Sequence, residues 1–355
     1  MNRCSRCLIP NTRPDTAFVN GVCSACISFD RRKAVDWLAR ERELVAILEQ
    51  CRRPGAAYDC IVASSGGKDS TWQTLKLLEL GVRPLVVTAT TCHLTEIGRR
   101  NIDNLARYAT TIEVSPNKIV RARLNRLGLE LVGDISWPEH VSIFTTPFRV
   151  AVQLHTPLVF YGENPQNSYG GPQGTEQARE MTRRWVSEFG GFLGLRPRDM
   201  IGQEGITERD MADYMPPTAA ELDKAGVVVY WLGQFYEWDS ERNACEAALK
   251  GFAWQRPTQA NWWAWENQDN AQTGLHDYFC WLKYGFGRAT AQVSVDIRWG
   301  RLSRGDGLNV IAQREGVFPY PYMGVSIDDV LARIGTTQAE LDGLIERFRD
   351  PRAHL

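Results

Sequence analysis

The chain has 355 residues, of which 43% are hydrophobic and 23% are charged, and its formal net charge is −1 at pH 7. These values are typical of a soluble globular protein with room for about two or three domains. They argue against broad binding of a polyanion such as tRNA, because such proteins usually carry a basic excess. The chain shows neither a membrane-spanning apolar run nor the apolar core of a signal peptide, so we expect a cytoplasmic protein without membrane contact.

The elements follow one another in a regular order after a turn-rich start. Residues 1–28 contain four of the nine cysteines. A charged amphipathic helix is predicted from Asp30, as its N-cap, to about Gln50. Short apolar strands then alternate with helices, and the strands are "YDCIVA", "RPLVVTAT", "TTIEVS", "PLVFYG" and "VVVYWLG". This alternation predicts a parallel sheet covered on both faces, followed by a mostly helical C-terminal region.

The four N-terminal cysteines form two C-x-x-C pairs, Cys4 with Cys7 and Cys23 with Cys26. Two such pairs can supply four thiolates to one tetrahedral Zn²⁺ ion. Because four sulfur ligands leave no open position, we expect a structural rather than a catalytic zinc site. A redox role is the alternative, but a thioredoxin-like C-x-x-C would lie at a strand–helix junction.

The stretch "SSGGKDS", residues 64–70, lies between the first predicted strand of the sheet and a helix. A glycine-rich turn at such a junction gathers backbone N–H groups around an anion. A Walker A loop is excluded, because there the lysine is followed by Ser or Thr, whereas Lys68 is followed by Asp69. The other interpretation is a plain glycine-rich turn with a capping aspartate.

This stretch matches the S-G-G-x-D-S pyrophosphate loop of the N-type ATP pyrophosphatases. The resemblance implies their α/β fold, of the adenine nucleotide alpha hydrolase-like type. It also implies cleavage of ATP between the α and β phosphates and transfer of AMP to a carbonyl-type oxygen. Lys68 and Asp69 are then the catalytic residues, Lys68 near developing negative charge and Asp69 as a ligand of Mg²⁺. The residues expected to bind ATP and its pyrophosphate are Ser64, Ser65, Gly66, Gly67, Lys68, Asp69 and Ser70.

Further segments along the chain narrow the resemblance. They are "CSRCLIPNTRPDTAF", "GVCSAC", "WPEHVSIFTTPFRVAVQ", "YGENPQNSYGG", "LHDY" and "KYGFGRATAQVSVDIRWGRLSR". Together with the loop they resemble the N-acetyl sugar amidotransferase family, from Cys4 to about Arg347. The family resemblance implies conversion of an acetamido group of a nucleotide-linked sugar to an acetamidino group, in the biosynthesis of bacterial O-antigens, surface polysaccharides and flagellin sugars. The amide oxygen is adenylated and ammonia then displaces AMP.

The resemblance also implies three domains and a set of substrate contacts. The domains are a zinc-binding module with a linking helix (1–52), an ATP pyrophosphatase domain (53–235) and a helical region that contributes to the sugar site (236–355). The candidate substrate contacts are Glu163, Asn164, His276, Arg288, Asp296 and Arg298. Arginines suit a sugar carboxylate or a diphosphate because they bind both bidentately.

Structural interpretations of these residues stay open. Arg288 and Asp296 could equally form an internal ion pair, His276 could be structural, and the residues after "LVFYG" could be a plain turn. The segment 167–171 is either a lid or a mobile loop. The tryptophans of "NWWAW" either stack on a sugar or nucleobase or belong to the core.

No glutaminase nucleophile is apparent in the sequence. Position 2 is Asn2 rather than cysteine, and the isolated cysteines lack the flanking glycines of a G-x-C-x-G elbow. We therefore expect ammonia from a separate glutaminase, which by the family resemblance is similar to the subunits of imidazole glycerol phosphate synthase. The main alternative is a tRNA-modifying enzyme, for thiolation or lysidine-type ligation, built on the same loop. A third is an interaction scaffold with a decayed nucleotide site.

Overall fold

The computed structural model describes residues 1–256 and 258–354. Strands β1 (Phe18–Val19) and β2 (Val22–Cys23) form an antiparallel hairpin near the N-terminus. The central sheet has five parallel strands in the order β5-β4-β3-β6-β7. These strands are β3 (Cys60–Ser64), β4 (Pro84–Ala89), β5 (Thr110–Val114), β6 (Leu158–Tyr161) and β7 (Val228–Trp231). The α/β class with a parallel sheet is therefore confirmed.

Both faces of this sheet are covered, as the continuous apolar strands predict. Alternate residues of each strand belong to different core clusters because successive side chains point to opposite faces. Ile61 and Val87 lie in one cluster with Val159, which packs against α5 and α6. Val62 and Val86 lie in the other, with residues of α2 and α3.

The helices of the described residues surround the sheet and build most of the C-terminal region. They are α1 (Ser24–Arg32), α2 (Trp37–Cys51), α3 (Lys68–Glu79), α4 (Glu96–Leu105), α5 (Lys118–Val132), α6 (Trp137–Gln153), α7 (Pro165–Tyr169), α8 (Arg183–Phe189), α9 (Ala219–Ala225), α10 (Ser240–Ala248), α11 (Thr273–Tyr284), α12 (Arg288–Arg298), α13 (Arg304–Arg314), α14 (Ile327–Ile334) and α15 (Gln338–Phe348). None of them is both long and apolar enough to cross a membrane.

The single helix predicted from Asp30 to Gln50 is wrong. The chain forms two helices there, α1 and α2, with a break between them, and Asp30 lies inside α1, where it pairs with Arg6. The cap of α2 is Asp36, whose carboxylate accepts a hydrogen bond from the N–H of Ala39 at 2.9 Å. The two helices pack against different partners: Cys26 of α1 belongs to the cysteine cluster, whereas Leu44 of α2 packs in the core cluster on one face of the sheet.

The order of the strands indicates where in the sheet a ligand would bind. After β3, the chain adds β4 and β5 on one side of the sheet and then β6 and β7 on the other. The order therefore reverses between β3 and β6, which pair directly, with Val62 opposite Phe160. In open parallel sheets, ligands bind in the crevice outside the carboxyl ends of the strands at such a switch point. The loop after β3 and the residues after β6 meet at this crevice.

Candidate functional site

The glycine loop is a tight connection whose shape depends on glycine. It joins the end of β3 at Ser64 to the start of α3 at Lys68. Gly66 has a φ of +80°, and a Cβ atom there would lie 2.6 Å from the Ile102 side chain. The hydroxyl of Ser70 donates to the carbonyl of Gly67 at 3.0 Å, which ties the first turn of α3 to the loop. This arrangement turns the N-terminus of α3, a favourable place for negative charge, toward the crevice.

A cavity of about 230 Å³ opens beside this loop. It brings together the loop, the first residues of α4, the segment after β6 and two parts of the C-terminal region. Its charged and aromatic lining residues are Lys68, Asp69, Glu163, Tyr169, Phe252, Trp265, Glu266, Asp269 and Arg288. Of the substrate contacts expected from the sequence, Glu163 and Arg288 thus lie in one cavity with the loop. We call it the loop cavity.

Lys68 is the centre of a charged group in the loop cavity. Its ammonium donates to Asp69 at 2.7 Å and to Glu266 at 2.6 Å, and its side chain is 4% exposed. Burial alone would lower the pKa of Lys68, but the two carboxylates raise it above its ordinary value. Burial opposes ionisation of Glu266 as well, yet Lys68 lowers the pKa of that carboxyl. Both groups are therefore charged at neutral pH.

Glu266 was missed by sequence reasoning. It is a single acid inside the tryptophan-rich stretch "WWAWEN", and nothing about its spacing relates it to the loop some 200 residues earlier. Its other carboxylate oxygen accepts from the Gln292 amide of α12 at 3.1 Å, which fixes its orientation. The one available signal was a lone carboxylate in an aromatic tract, since such a group needs a partner when it is buried.

Glu163 follows β6 directly and lies across the crevice from the loop. Burial raises the pKa of Glu163 to about 7, and the negative charge of Asp69 adds to the effect. The hydroxyl of Ser168 donates to its Oε2 at 2.5 Å and works in the opposite direction. Glu163 is thus a carboxyl group that can exchange a proton near neutral pH.

Arg288 is both a lining residue and a member of an internal ion pair. Its partner is Asp277, with Nη2 to Oδ1 at 2.8 Å, rather than Asp296. Burial opposes the charge, but Asp277 raises the pKa of the guanidinium above its ordinary value. Arg288 therefore keeps a fixed positive charge at the wall of the loop cavity.

Three of the expected substrate contacts do not line the loop cavity, and each makes a hydrogen bond within the protein. Asn164 is buried and caps α7, accepting from the N–H of Gln166 at 3.1 Å. Asp296 accepts from the indole N–H groups of Trp262 at 2.8 Å and Trp263 at 2.9 Å, so these two tryptophans are fixed by a carboxylate in the C-terminal region. Arg298 donates to the backbone carbonyl of Ser168.

His276 also lies outside the loop cavity. Its Nδ1 is 2.7 Å from Asp134 Oδ1, and His140 approaches the same carboxylate at 3.2 Å. Burial would raise the pKa of Asp134, but the two histidines hold it well below its ordinary value. The pairing of His276 with Asp134 could not be read from the sequence, because the two residues lie on different elements far apart along the chain.

The four cysteine side chains of the N-terminal module converge and are buried. Their sulfur atoms lie within 4.8 Å of one another, with Cys4 to Cys26 at 3.9 Å and Cys7 to Cys23 at 3.6 Å. Tetrahedral Zn²⁺ with Zn–S bonds of about 2.3 Å needs sulfur atoms about 3.8 Å apart. The N–H of Cys23 also donates to the sulfur of Cys4 at 3.3 Å, as is favourable for a thiolate. The cluster could therefore bind zinc, as the two C-x-x-C pairs predict.

The module braces the segment that carries Glu163. Helix α1 lies against α7, and the Ser28 hydroxyl donates to Asn167 Oδ1 at 2.8 Å. The Ser24 hydroxyl donates to the carbonyl of Gly171 at 2.9 Å. The segment 167–171, expected to be a lid or a mobile loop, is thus fastened to the cysteine module at both ends.

A second, larger cavity lies beyond the carboxyl ends of β4 and β5. Its volume is about 990 Å³, and its charged lining residues are Lys118, Arg121, Arg123, Arg126, Asp329 and Arg333. We call it the basic cavity. Its lining residue His93 is followed by Leu94, which pairs with Asn270, and Asn270 follows Asp269 of the loop cavity. The balanced charge of the whole chain conceals this local excess of basic side chains.

Comparison with known families gives one match. Residues 251–354 match the family described as "LPS biosynthesis protein WbpG-like, C-terminal domain". A comparison with curated proteins found no match. The matched region contains Glu266, Asp277 and Arg288, so it supplies part of the loop cavity. The match supports a polysaccharide-biosynthesis family and points to lipopolysaccharide biosynthesis.

Proposed function

We propose that this protein is an ATP-dependent amidotransferase that converts an acetamido group of a nucleotide-linked sugar to an acetamidino group in O-antigen biosynthesis. One observation carries the proposal: the S-G-G-x-D-S loop, Lys68, Glu266 and Arg288 converge in one cavity at the switch point of a parallel sheet. The cavity is lined both by the loop that resembles a pyrophosphate loop and by the region that matches a domain of lipopolysaccharide biosynthesis proteins. The fold, in this proposal, is of the ATP pyrophosphatase type.

ATP binds with its β and γ phosphates at the loop and the N-terminus of α3. Lys68 is already held at the cavity wall, so its charge is in place when pyrophosphate leaves. Asp69 lines the cavity with a side chain that is 32% exposed, and a carboxylate in that position fits Mg²⁺. The ion supplies charge neutralisation at the phosphate oxygens when it is bound.

In the first step, the acetamido oxygen attacks the α phosphorus of ATP. A bond forms between that oxygen and the phosphorus, and the bond from the α phosphorus to the bridging oxygen of pyrophosphate breaks. The product is an O-adenylyl imidate that keeps the amide proton on its nitrogen; its carbon is a better electrophile than an amide carbon, and its leaving group is AMP. Lys68 stabilises the negative charge that develops on the departing pyrophosphate.

In the second step, ammonia adds to the imidate carbon. The resulting tetrahedral species transfers a proton from its ammonium nitrogen to Glu163, whose pKa of about 7 suits a general base at neutral pH. The carbon–oxygen bond to AMP then breaks and the acetamidino group remains. Water would return the imidate to the amide, so the site must exclude it, and Tyr169 and Trp265 give the cavity an apolar wall.

Two further parts of the proposal are the source of ammonia and the binding site of the sugar's nucleotide diphosphate. Ammonia comes from a separate glutaminase subunit, which docks so that ammonia does not dilute into solvent. The nucleotide diphosphate of the sugar lies in the basic cavity, where exposed Lys118 and Arg123 offer positive charge to its phosphates.

An isotope experiment tests the reaction. A UDP-linked diacetamido uronic acid carrying ¹⁸O in its acetamido groups is incubated with the chain, ATP, Mg²⁺ and an ammonium salt. We expect ¹⁸O in the AMP formed, and a sugar product lighter than the labelled substrate by about three daltons, because NH replaces one ¹⁸O atom. Formation of AMP without ¹⁸O would contradict adenylation of the amide oxygen. Copurified tRNA that stimulates pyrophosphate release would favour the tRNA-modifying alternative.

A further inference from the structure

Asp134, His140 and His276 form a second cluster of side chains that are able to bind a metal ion. One donor atom from each lies within 4.8 Å of the other two. The three residues come from separate parts of the fold. Asp134 follows the left-handed Gly133 that ends α5, His140 lies in the first turn of α6, and His276 lies in the first turn of α11. Their convergence is a product of tertiary packing and does not follow from local spacing.

The hydrogen bonds within this cluster are incomplete. Asp134 Oδ1 accepts from the N–H of Ser136 at 2.8 Å and faces His276 Nδ1 at 2.7 Å. Asp134 Oδ2 lies 3.2 Å from His140 Nδ1, yet this buried ring nitrogen has no hydrogen-bond partner. A buried polar atom without a hydrogen bond destabilises the folded state, so such an atom in a folded protein requires an explanation. If Asp134 simply accepted one hydrogen bond from each histidine, His140 Nδ1 would have a partner, and it has none.

The surroundings hold the ligands in place while leaving one side open. Gly191 has a φ of +81°, and a Cβ atom there would lie 2.8 Å from His140 Nδ1, so the backbone approaches the ring as only glycine allows. The two imidazole rings meet edge to face with centroids 5.1 Å apart. Asp134 is 3% exposed, whereas the side chains of His140 and His276 are 25% and 23% exposed. The two imidazole rings are therefore partly exposed, whereas the carboxylate and His140 Nδ1 are buried.

We propose that Asp134, His140 and His276 bind one divalent transition-metal ion of the zinc class. Two imidazole nitrogens and one carboxylate oxygen suit such an ion better than Mg²⁺ or Ca²⁺, which prefer all-oxygen sites. Three protein ligands leave an open position for water or a substrate group. This donor set differs from the four thiolates of the N-terminal module, which saturate their ion.

The proposed ion would lie next to the loop cavity. His276 Nε2 is 3.9 Å from Asp277 Oδ1, and Asp277 holds Arg288, which lines that cavity. Only the ion pair of Asp277 with Arg288 would therefore lie between the ion and the loop cavity. Its existence does not depend on the proposed reaction, because the cluster is defined by its own geometry.

Metal analysis of the full-length chain tests this proposal. After equilibration with Zn²⁺ and removal of free metal, we expect about two zinc ions per wild-type chain, one in each cluster. His140→Gln and His276→Gln should each retain about one. The matched control is His155→Gln, which replaces an exposed histidine outside the cluster and should retain about two.

Cobalt separates the two sites spectroscopically. Co²⁺ at the cysteine cluster gives intense thiolate charge-transfer bands, whereas Co²⁺ at a nitrogen and oxygen site gives only weaker visible bands. His276→Gln should lose only the weaker bands, and Cys7→Ser should lose the charge-transfer bands and keep the weaker ones. The proposal is overturned if the wild type binds zinc only at the cysteines, or if both histidine variants keep the second ion. Circular dichroism establishes that each variant is folded.

Discussion

The loop after β3 and the segment around Glu266 supply charges to the same cavity, but they do so differently. The loop residues are neighbours in sequence, and their geometry is set by one turn between a strand and a helix. Glu266 belongs to a segment without helix or strand, and it pairs with Lys68 while the Gln292 amide of α12 holds its other carboxylate oxygen. The geometry of the loop is therefore a local feature, whereas the charge balance around Lys68 depends on the C-terminal region.

The largest expected effect is at the loop itself. Asp69→Asn removes the carboxylate that fits Mg²⁺ beside the leaving group, so pyrophosphate release should fall roughly a thousand-fold. The measurement is sugar-dependent pyrophosphate release from ATP, with Asp103→Asn on the exposed face of α4 as the matched control. Release within a few-fold of wild type would remove Asp69 from the mechanism.

A second prediction concerns the pKa of Glu163, which burial and the negative charge of Asp69 raise. Folding raises the pKa of Glu163 from 4.5 to about 7, mainly by burial and then by Asp69. An acid with a raised pKa stabilises the fold while it is protonated, so this contribution is present below about pH 4.5 and is lost as the pH rises through 7. Glu163→Gln stays neutral and should be more stable than wild type at pH 8, by up to about 3 kcal/mol.

Denaturant unfolding at two pH values measures this difference. The two proteins should have similar stability below about pH 4.5, diverge between about pH 4.5 and 7, and keep a constant difference at higher pH. The matched control is Glu208→Gln, an exposed position at which stability should not change with pH relative to wild type. Parallel stability curves for Glu163→Gln and wild type would show that Glu163 titrates normally and is no base at neutral pH.

Glu266→Gln examines the contribution of the C-terminal region directly. Lys68 would keep Asp69 but lose its second carboxylate, so its position at the phosphates would be less fixed. We expect pyrophosphate release to fall about a hundred-fold, because preorganised charge is a large part of such catalysis. Glu246→Gln, on α10, is the matched control. An unchanged rate would mean that the loop alone sets the electrostatics of the site.

The sequence was informative wherever the relevant residues are close together along the chain. The cysteine pairs, the loop and the alternating strands are local patterns, and the structure shows each of them. The break between α1 and α2 was missed because the charged amphipathic pattern runs through it, while Cys26 and Leu44 pull the two helices to different partners. Lys68 with Glu266, and Asp134 with His276, are contacts between distant residues that no single-sequence pattern encodes.

Cys4→Ser tests whether the N-terminal module supports the site by holding the segment 167–171. The variant should lose the zinc that the four cysteines could bind and loosen α1, which holds the segment 167–171 through Ser24 and Ser28. Because this segment contains Tyr169, and Ser168, which donates to Glu163, we expect activity to fall about ten-fold even at a temperature where the chain stays folded. Cys245→Ser, at an exposed and isolated cysteine, is the matched control. Metal loss with full activity would show that the brace is dispensable.

The smallest effect concerns the basic cavity, which is built partly by α5 and partly by the C-terminal region. Arg123 is exposed and lines it, so Arg123→Ala should weaken binding of the nucleotide diphosphate without changing the chemistry at the loop. We expect KM for the nucleotide sugar to rise about five-fold at low salt, with kcat unchanged, and the difference to shrink as salt screens the charge. KM for ATP should stay the same, because the proposed function places ATP in the loop cavity, which Arg123 does not line. Arg107→Ala is the matched control, since Arg107 follows α4 and does not line the basic cavity. If Arg123→Ala raised KM for ATP instead, the basic cavity would be part of the ATP site and the two anionic substrates would have to be reassigned.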